Sequence, residues 1–191
     1  MTFEECASGN TTPCQSPVVL KQALYESRKN EQWHDNPTYE LEIQRRAWAA
    51  SNPVTHVNGF VQSIGLFPFH VLVFLERQVK FYIQSALIRD CVLHVDATGS
   101  IISSLGEKTG RDTVYLYSVV IAPENVPVCE FLSADHRSHA IQAHLDSFNA
   151  CAASVNNSKR IRPSYIVMDF SYALIHAAIK SFNERDLVIV T

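Results

Sequence analysis

The sequence predicts a mixed α/β sheet preceded by a helical segment, and three features of its 191 residues support this fold class. Three short apolar runs separated by turn residues indicate an antiparallel meander. A stretch of helical periodicity then separates the third run from a fourth, which is typical of a crossover between strands. A further helix and a further apolar run follow. The expected order is therefore β-β-β-α-β-α-β, with helices on the faces of the sheet.

Composition places the chain among globular proteins. Hydrophobic residues make up 47% and charged residues 18%, so the chain can bury a core. The 16 Lys+Arg and 19 Asp+Glu give a formal net charge of −3. A free-standing nucleic-acid binder usually carries a basic excess, because phosphate neutralisation supplies most of its non-specific affinity. Any contact with DNA is therefore expected from a local basic patch or from a separate module.

The five cysteines contain no C-x-x-C pair and cannot all pair within one chain. They are Cys6, Cys14, Cys91, Cys129 and Cys151. The first ten residues include Glu4 and Glu5, which do not suit a signal peptide, and no apolar run reaches the ~18 residues that a membrane span needs. These features predict free thiols in a reducing compartment, the nucleus or the cytoplasm, and no membrane association.

The N-terminal part is predicted to be loose and then helical. Residues 1–17 are rich in Ser, Thr, Asn, Gly and Pro, which indicates a loose terminus. Residues 18–88 form a predicted helical lead-in. Two helices precede residue 51 and are interrupted at Asn36-Pro37, since a residue before proline disfavours the helical conformation. A third helix is expected over Phe69–Leu87, where apolar residues recur near helical spacing.

The remaining residues, 89–191, form the predicted sheet domain. The expected strands are Cys91–Val95, Thr113–Ala122, Val126–Ser133, Ser164–Met168 and Leu187–Val190. A helix is expected from Ser138 to Val155 and a second from Tyr172 to Phe182. The first of these helices is predicted because its apolar residues repeat on one face. They are Ile141, Leu145, Phe148 and Ala152.

Two aspartates, Asp96 and Asp169, each follow an apolar strand. Ligands and metals collect at strand ends in α/β sheets. Two carboxylates that meet there would repel each other, and a divalent cation such as Mg²⁺ or Mn²⁺ relieves the repulsion. The alternative is structural: Asp169 as the N-cap of the next helix, and Asp96 as a turn residue.

Four segments resemble the catalytic core of Mutator-like and related DDE/D transposases, including the transposon-derived proteins of animal genomes. They are LHVDATGSII, VYLYSVVIAP, PVCEFLSADHRSHAIQAHLDSF and PSYIVMDFSYALIHAAIKSFN. The resemblance implies a ribonuclease H-like fold, Mg²⁺ or Mn²⁺ as cofactor and DNA as partner, with Asp96 and Asp169 as the first two catalytic, metal-binding aspartates. The family's third acidic residue lies on a later helix, beyond Thr191. The resemblance thus predicts a fragment with an incomplete site and no strand-cleaving activity of its own.

Other residues invite weaker hypotheses. Asp135 and His136 could be auxiliary metal ligands or DNA contacts, or simply a turn and helix cap. The basic run 159–162 could contact DNA or be a solvated loop. A zinc site from Cys6, Cys14, His34 and His56 does not fit the usual ligand spacings.

Two other functions compete with the transposase fragment. One is a non-enzymatic, domesticated module that binds DNA or a protein, since an uncovered sheet invites association. The other is an unrelated metal-dependent phosphohydrolase, which needs a further acidic pair. Glu184 and Asp186 are the candidates for it. The sequence does not determine the oligomeric state, and a homo-oligomer is compatible with it.

Overall fold

The structure, a computed structural model, describes residues 36–51, 57, 59–88, 90–102 and 113–183. The predicted loose terminus, the first predicted helix and the Leu187–Val190 strand lie outside these residues. So do Cys6, Cys14, His34 and His56, which do not fit zinc spacing, and the pair Glu184 and Asp186. The chain divides into two compact units, Met1–Glu40 and Leu41–Thr191.

The described residues form four helices and six strands. The helices are α1 (Pro37–Ser51), α2 (Glu76–Ile88), α3 (Ser138–Val155) and α4 (Tyr172–Phe182). The strands are β1 (Val61–Leu66), β2 (Phe69–Val73), β3 (Val92–Ile102), β4 (Val114–Ala122), β5 (Val126–Ser133) and β6 (Tyr165–Met168).

Helix α1 begins where the sequence predicts a break. The Asn36 side chain accepts a hydrogen bond from the Thr38 N–H at 2.9 Å, and Pro37 takes the first helical position, where its missing N–H costs nothing. Later in the helix, Glu42 binds both Arg45 and Arg46 at 2.7 Å. These hydrogen bonds, Arg45 first, lower the pKa of Glu42 to about 2. The two arginines are thus paired within their own helix.

The sheet has the strand order β1-β2-β5-β4-β3-β6. Neighbouring strands pair antiparallel, except β3 and β6, which are parallel. The predicted meander of three strands is confirmed as β3, β4 and β5. Helix α3 is the predicted crossover from β5 to β6. The predicted mixed α/β class is therefore confirmed.

The prediction of one helix over Phe69–Leu87 is wrong in its first part. Residues 69–73 form β2, which pairs with β1 on one side and with β5 on the other, and helix α2 begins only at Glu76. The sequence FHVLV is rich in aromatic and β-branched residues, which suit a pleated sheet. Its apolar spacing also fitted a helix, and pairing with β5 decided between the two.

The core lies between one face of the sheet and helices α2, α3 and α4. The predicted inner face of α3 is confirmed, since Ile141, Leu145, Phe148 and Ala152 are all buried. These residues share one apolar cluster with β-strand residues such as Leu93, Val119 and Phe131, and with Leu174 and Phe182 of α4. The helices therefore cover a single face of the strands that carry the predicted site.

Cys129 and Cys91 are buried in this cluster and Cys151 is half-buried against it. Burial raises the pKa of each thiol. These three thiols stay protonated near neutral pH, so the cysteines act as small apolar side chains.

Candidate functional site

Strand β3 continues well past Asp96. The sequence predicted that the strand ends at this aspartate, but β3 runs to Ile102, and Asp96 pairs with Ser118 of β4. The Ala97 N–H donates a hydrogen bond to Asp96 Oδ1 at 2.8 Å. Asp96 is therefore an interior strand residue, and its structural alternative as a turn residue is wrong.

The face on which Asp96 lies follows from strand alternation. Leu93 and Val95 are buried against the helices, whereas His94 and Asp96 are exposed. Successive side chains of a strand point to opposite faces, so the Asp96 carboxylate lies on the face opposite α2, α3 and α4. The Asp96 carboxylate is therefore exposed to solvent and accessible to an ion.

The parallel pairing of β3 with β6 brings the second aspartate beside the first. The register places Val95 opposite Met168. Asp96 follows Val95 within β3, and Asp169 directly follows the last residue of β6. Paired strands lie about 4.8 Å apart. Both side chains are exposed. Residues separated by 72 intervening positions thus become neighbours across one strand pair.

The cap of α4 is Ser171, not Asp169. The Leu174 N–H donates to Ser171 Oγ at 3.4 Å, and the Ser171 N–H donates to the main-chain carbonyl of Asp169 at 2.7 Å. The structural alternative for Asp169 is therefore wrong as well. Its carboxylate makes no hydrogen bond or ion pair with another residue among those the structure describes, which leaves it available for a ligand.

A half-open cavity of about 320 Å³ adjoins Asp169. It lies on the helix-covered side, and Asp96 is not part of its wall. Its polar lining combines a carboxylate, two phenols, an imidazole and a hydroxyl. The residues are Asp169, Tyr115, Tyr117, His136 and Ser171. The cavity thus offers hydrogen-bonding groups beside one of the two predicted metal ligands.

His136 is held in one orientation by both ring nitrogens. Its Nε2 lies 2.7 Å from the Thr113 carbonyl oxygen and so donates to it, which leaves Nδ1 to accept from the Tyr117 hydroxyl at 3.2 Å. Burial, with smaller effects of Tyr115 and Asp135, raises the pKa of Tyr117 to about 12. The phenol therefore stays protonated. With both nitrogens occupied, His136 is a wall residue of the cavity rather than a metal ligand.

The Asp135 carboxylate forms an ion pair with Arg137. The Arg137 guanidinium donates to both carboxylate oxygens, at 2.9 Å and 2.6 Å, and the Arg137 main-chain N–H donates to Oδ1 at 3.0 Å. These hydrogen bonds, that of the side chain foremost, lower the pKa of Asp135 to about 2. The N-cap position of α3 is Arg137, without a side-chain cap. Asp135 therefore fixes the turn before α3.

We expect Asp135→Asn to lower the free energy of unfolding modestly near neutral pH and to leave divalent-metal binding unchanged. Because the folded pKa of about 2 lies below the ordinary 3.8, the stabilisation is present above about pH 4 and is lost as the pH falls toward 2. Urea unfolding of both proteins at about pH 7 and about pH 3 measures this. A difference in stability that does not shrink at the lower pH would contradict the assignment.

The basic run 159–162 is partly built into the fold. Ile161 is buried, and the Arg160 guanidinium donates a hydrogen bond to the Ser181 main-chain carbonyl near the end of α4. Lys159 and Arg162 are exposed. The run is thus an anchored loop beside the C-terminal end of α4, and whether it contacts DNA stays a prediction.

The sequence reasoning did not single out Tyr115 and Tyr117 as site residues. The signal was present, because their spacing of two places both side chains on one face of a strand. The sequence did not show that β4 lies between β3 and β5. In that position the face of β4 that carries both tyrosines is turned toward α3 and lies next to Asp169.

Within the described ranges, no group of three His, Cys, Asp or Glu side chains is placed to hold a metal ion. Asp96 and Asp169 are two oxygen ligands of the hard type that Mg²⁺ and Mn²⁺ prefer. Their oxygen chemistry suits such an ion, but Asp96 lies on the open face of the sheet whereas Asp169 lines the cavity on the helix-covered side. One ion held by both therefore requires the Asp169 side chain to turn toward Asp96, and its coordination shell needs further ligands or water.

These features define an α/β protein in which two exposed aspartates directly follow a paired position, Val95 and Met168, of two adjacent parallel strands. A 120.7 kDa protein in the NOF-FB transposable element of Drosophila melanogaster is 33% identical to the chain over 129 residues, 66% of this chain. The chain spans 12% of that protein's length. No protein-family profile and no solved structure matches. No described helix has the length and apolarity to cross a membrane.

Proposed function

We propose that this chain derives from a transposable element and carries the metal-binding part of a DDE/D transposase core. The observation that carries the proposal is the parallel register of β3 with β6, in which Asp96 and Asp169 each directly follow the last paired residues, Val95 and Met168. The similarity to the NOF-FB transposable-element protein supports a transposon origin independently of that geometry.

The strand order supports a ribonuclease H-like core within the larger sheet. Strands β5-β4-β3 form an antiparallel meander, and β6 joins beside β3 in parallel after the α3 crossover. This is the order expected of such a core, in which the first and fourth strands lie side by side. The hairpin β1–β2 extends the sheet at the opposite edge, beyond β5.

In this proposal Asp96 and Asp169 bind a Mg²⁺ or Mn²⁺ ion, and that ion contacts a phosphodiester of the DNA. When bound, such an ion stabilises the developing charge on the oxygens of a phosphodiester under attack. The protein's own contribution is placement: β3 holds one carboxylate within a regular strand, and Ser171 caps α4 so that the Asp169 carboxylate is not spent on capping. The described residues supply two acidic ligands of a triad, and strand cleavage would need a third acidic residue beside them.

Titration calorimetry with Mn²⁺ tests the proposal on the full chain. We expect binding by the wild type and loss of at least about tenfold in affinity for Asp96→Asn and for Asp169→Asn, because each removes one of two charged ligands. The matched control is Asp90→Asn, which changes an exposed aspartate two residues before the start of β3 and should bind as the wild type does. Circular dichroism verifies that each variant is folded.

Two results would overturn the proposal. One is Mn²⁺ affinity that neither substitution changes. The other is a folded wild type that binds no Mn²⁺. Mg²⁺-dependent DNA nicking that Asp96→Asn abolishes would instead show that the chain has a complete site, and would correct the expectation of inactivity.

A second candidate is a non-enzymatic binding module. The observation that favours it is the exposure of Tyr165 and Val167 on β6, at 61% and 49%, since apolar side chains on a strand surface suit association with a partner. A folded chain without Mn²⁺ binding would make this candidate the better one.

A further inference from the structure

Two aromatic side chains face solvent directly beside Asp169. Phe170 and Tyr172 are 77% and 79% exposed, although large aromatic residues normally contribute to cores. Their rings contact each other edge to face, with centroids 5.2 Å apart. Phe170 lies between Asp169 and the α4 cap Ser171, and Tyr172 is the first residue of α4, so hydrogen bonds of this turn and cap set the position of both rings relative to Asp169.

The helix that follows carries a compatible surface. Tyr172, His176 and Lys180 are exposed and lie four residues apart, so they form one stripe along α4. No acidic residue occurs from Phe170 to Asn183. At the far end of the helix, Arg160 is fixed to the Ser181 carbonyl. A segment with two aromatic rings at one end, a lysine near the other and no acidic residue of its own suits a polyanion.

We propose that Phe170 and Tyr172 form a stacking platform for unpaired bases of a DNA strand, with Lys180 and the Arg160 end of α4 toward its phosphates. This inference rests on the proposed function, in which Asp96 and Asp169 act on DNA. Every base has a π-face that an aromatic side chain can cover, which makes such platforms tolerant of sequence. In an intact duplex those faces are stacked on one another and out of reach. The platform therefore selects a single-stranded or locally unpaired substrate.

The location gives the platform a role in positioning. A base held on a ring next to Asp169 fixes the adjoining phosphodiester near the aspartate pair. Binding through bases also explains how a chain with a net charge of −3 could hold DNA with few cations.

Fluorescence anisotropy with the full chain in EDTA tests the proposal. The probes are a labelled oligothymidine, a strand of the same length made of abasic residues, and a blunt duplex of that length. The variants are Phe170→Ala, Tyr172→Ala, the double variant and the ring-retaining Tyr172→Phe. The matched control is Phe67→Ala, which removes a ring that is 97% exposed at the tip of the β1–β2 hairpin. Each alanine substitution removes an exposed ring and leaves the core unchanged, whereas Tyr172→Phe keeps the ring and removes only the hydroxyl.

We expect the wild type to bind oligothymidine more tightly than the duplex or the abasic strand. Each alanine substitution at the platform should weaken oligothymidine binding by about fivefold or more, and the double variant by about 25-fold. Tyr172→Phe and Phe67→Ala should bind as the wild type does. Binding of the abasic strand should be weak and equal in all variants, since that strand has phosphates but no bases to stack.

The proposal is overturned if the wild type binds none of the probes, if it prefers the duplex, or if the platform variants bind oligothymidine as well as the wild type. It is also overturned if the abasic strand binds as tightly as oligothymidine. Because these measurements exclude metal, they are separate from the Mn²⁺ titration. If the wild type binds Mn²⁺ but shows no base-dependent DNA binding, only the platform proposal is rejected. If the wild type binds no Mn²⁺, the proposed function is rejected.

Discussion

Replacement of Phe148 by alanine should lower the free energy of unfolding by about 3–5 kcal/mol, which is a large share of the 5–15 kcal/mol typical of a folded domain. Phe148 is fully buried on the inner face of α3. Its ring packs edge to face on Phe74 and at a tilt on Tyr82, with centroids 5.4 Å away in both cases. Its loss removes apolar contacts and leaves a cavity where α2 and α3 meet the sheet. Urea unfolding followed by circular dichroism measures the change.

The control for this prediction is Phe170→Ala, which removes the same ring from a site that is 77% exposed. We expect that variant to stay within about 0.5 kcal/mol of the wild type, as surface substitutions generally do. A cost below about 1 kcal/mol for Phe148→Ala would mean that α3 does not pack on the sheet through this face.

Acidification from about pH 7 to about pH 4 should destabilise the protein by up to about 3 kcal/mol through His144 alone. His144 is buried on α3, and its ring packs between Phe131 and His70, with centroids 4.8 Å and 4.9 Å away. Burial, and next the neighbouring His70, lowers its pKa from 6.5 to about 4. Between these values the unfolded chain binds the proton more readily than the folded chain. Stability therefore falls as the pH drops through this window.

Urea unfolding of the wild type and of His144→Leu across this pH range tests the effect. The leucine keeps an apolar side chain in the pocket and cannot titrate, so the variant should lose less stability on acidification. Asp135 acts below about pH 4 and does not overlap with this window. Equal pH dependence in the two proteins would show that His144 is solvated in the folded state.

The aromatic packing around His144 reaches the candidate site. Phe131 stacks on Tyr117 with centroids 4.6 Å apart, and the Tyr117 hydroxyl donates to His136 in the wall of the cavity beside Asp169. Protonation of His144 would therefore loosen the wall of that cavity as well as the core. For this reason the metal and DNA measurements belong above about pH 6.5, where His144 is neutral.

Local patterns were sufficient for the second half of the sheet domain. Helix α3 and strand β5 have the predicted bounds, Ser138–Val155 and Val126–Ser133, and β4 and β6 differ from prediction by one residue at their starts. These elements have clear apolar periodicity and end at turn residues. In such segments the residue preferences and the burial pattern favour the same conformation, so the neighbours in space add nothing that changes the outcome.

Two elements needed the tertiary structure. The apolar residues of Phe69–Val73 suited a helix or a strand, and the hydrogen-bonding edge of β5 selected the strand. Strand β3 continues through Asp96, Ala97 and Thr98 because each pairs with a residue of β4. Without that partner, Asp-Ala-Thr-Gly reads as a turn, since these residue types favour turns when they act alone.

The sequence by itself determined the α/β class, the inner face of α3, the bounds of α4, and the choice of Asp96 and Asp169 as candidate ligands. Only the tertiary structure decided that the two aspartates are neighbours, that Ser171 rather than Asp169 caps α4, and that Asp135 is bound to Arg137. The physical reason is the separation along the chain of the residues that interact. Periodicity and capping depend on residues within a turn or two of each other, whereas strand register joins segments 73 residues apart and depends on how the whole sheet pairs.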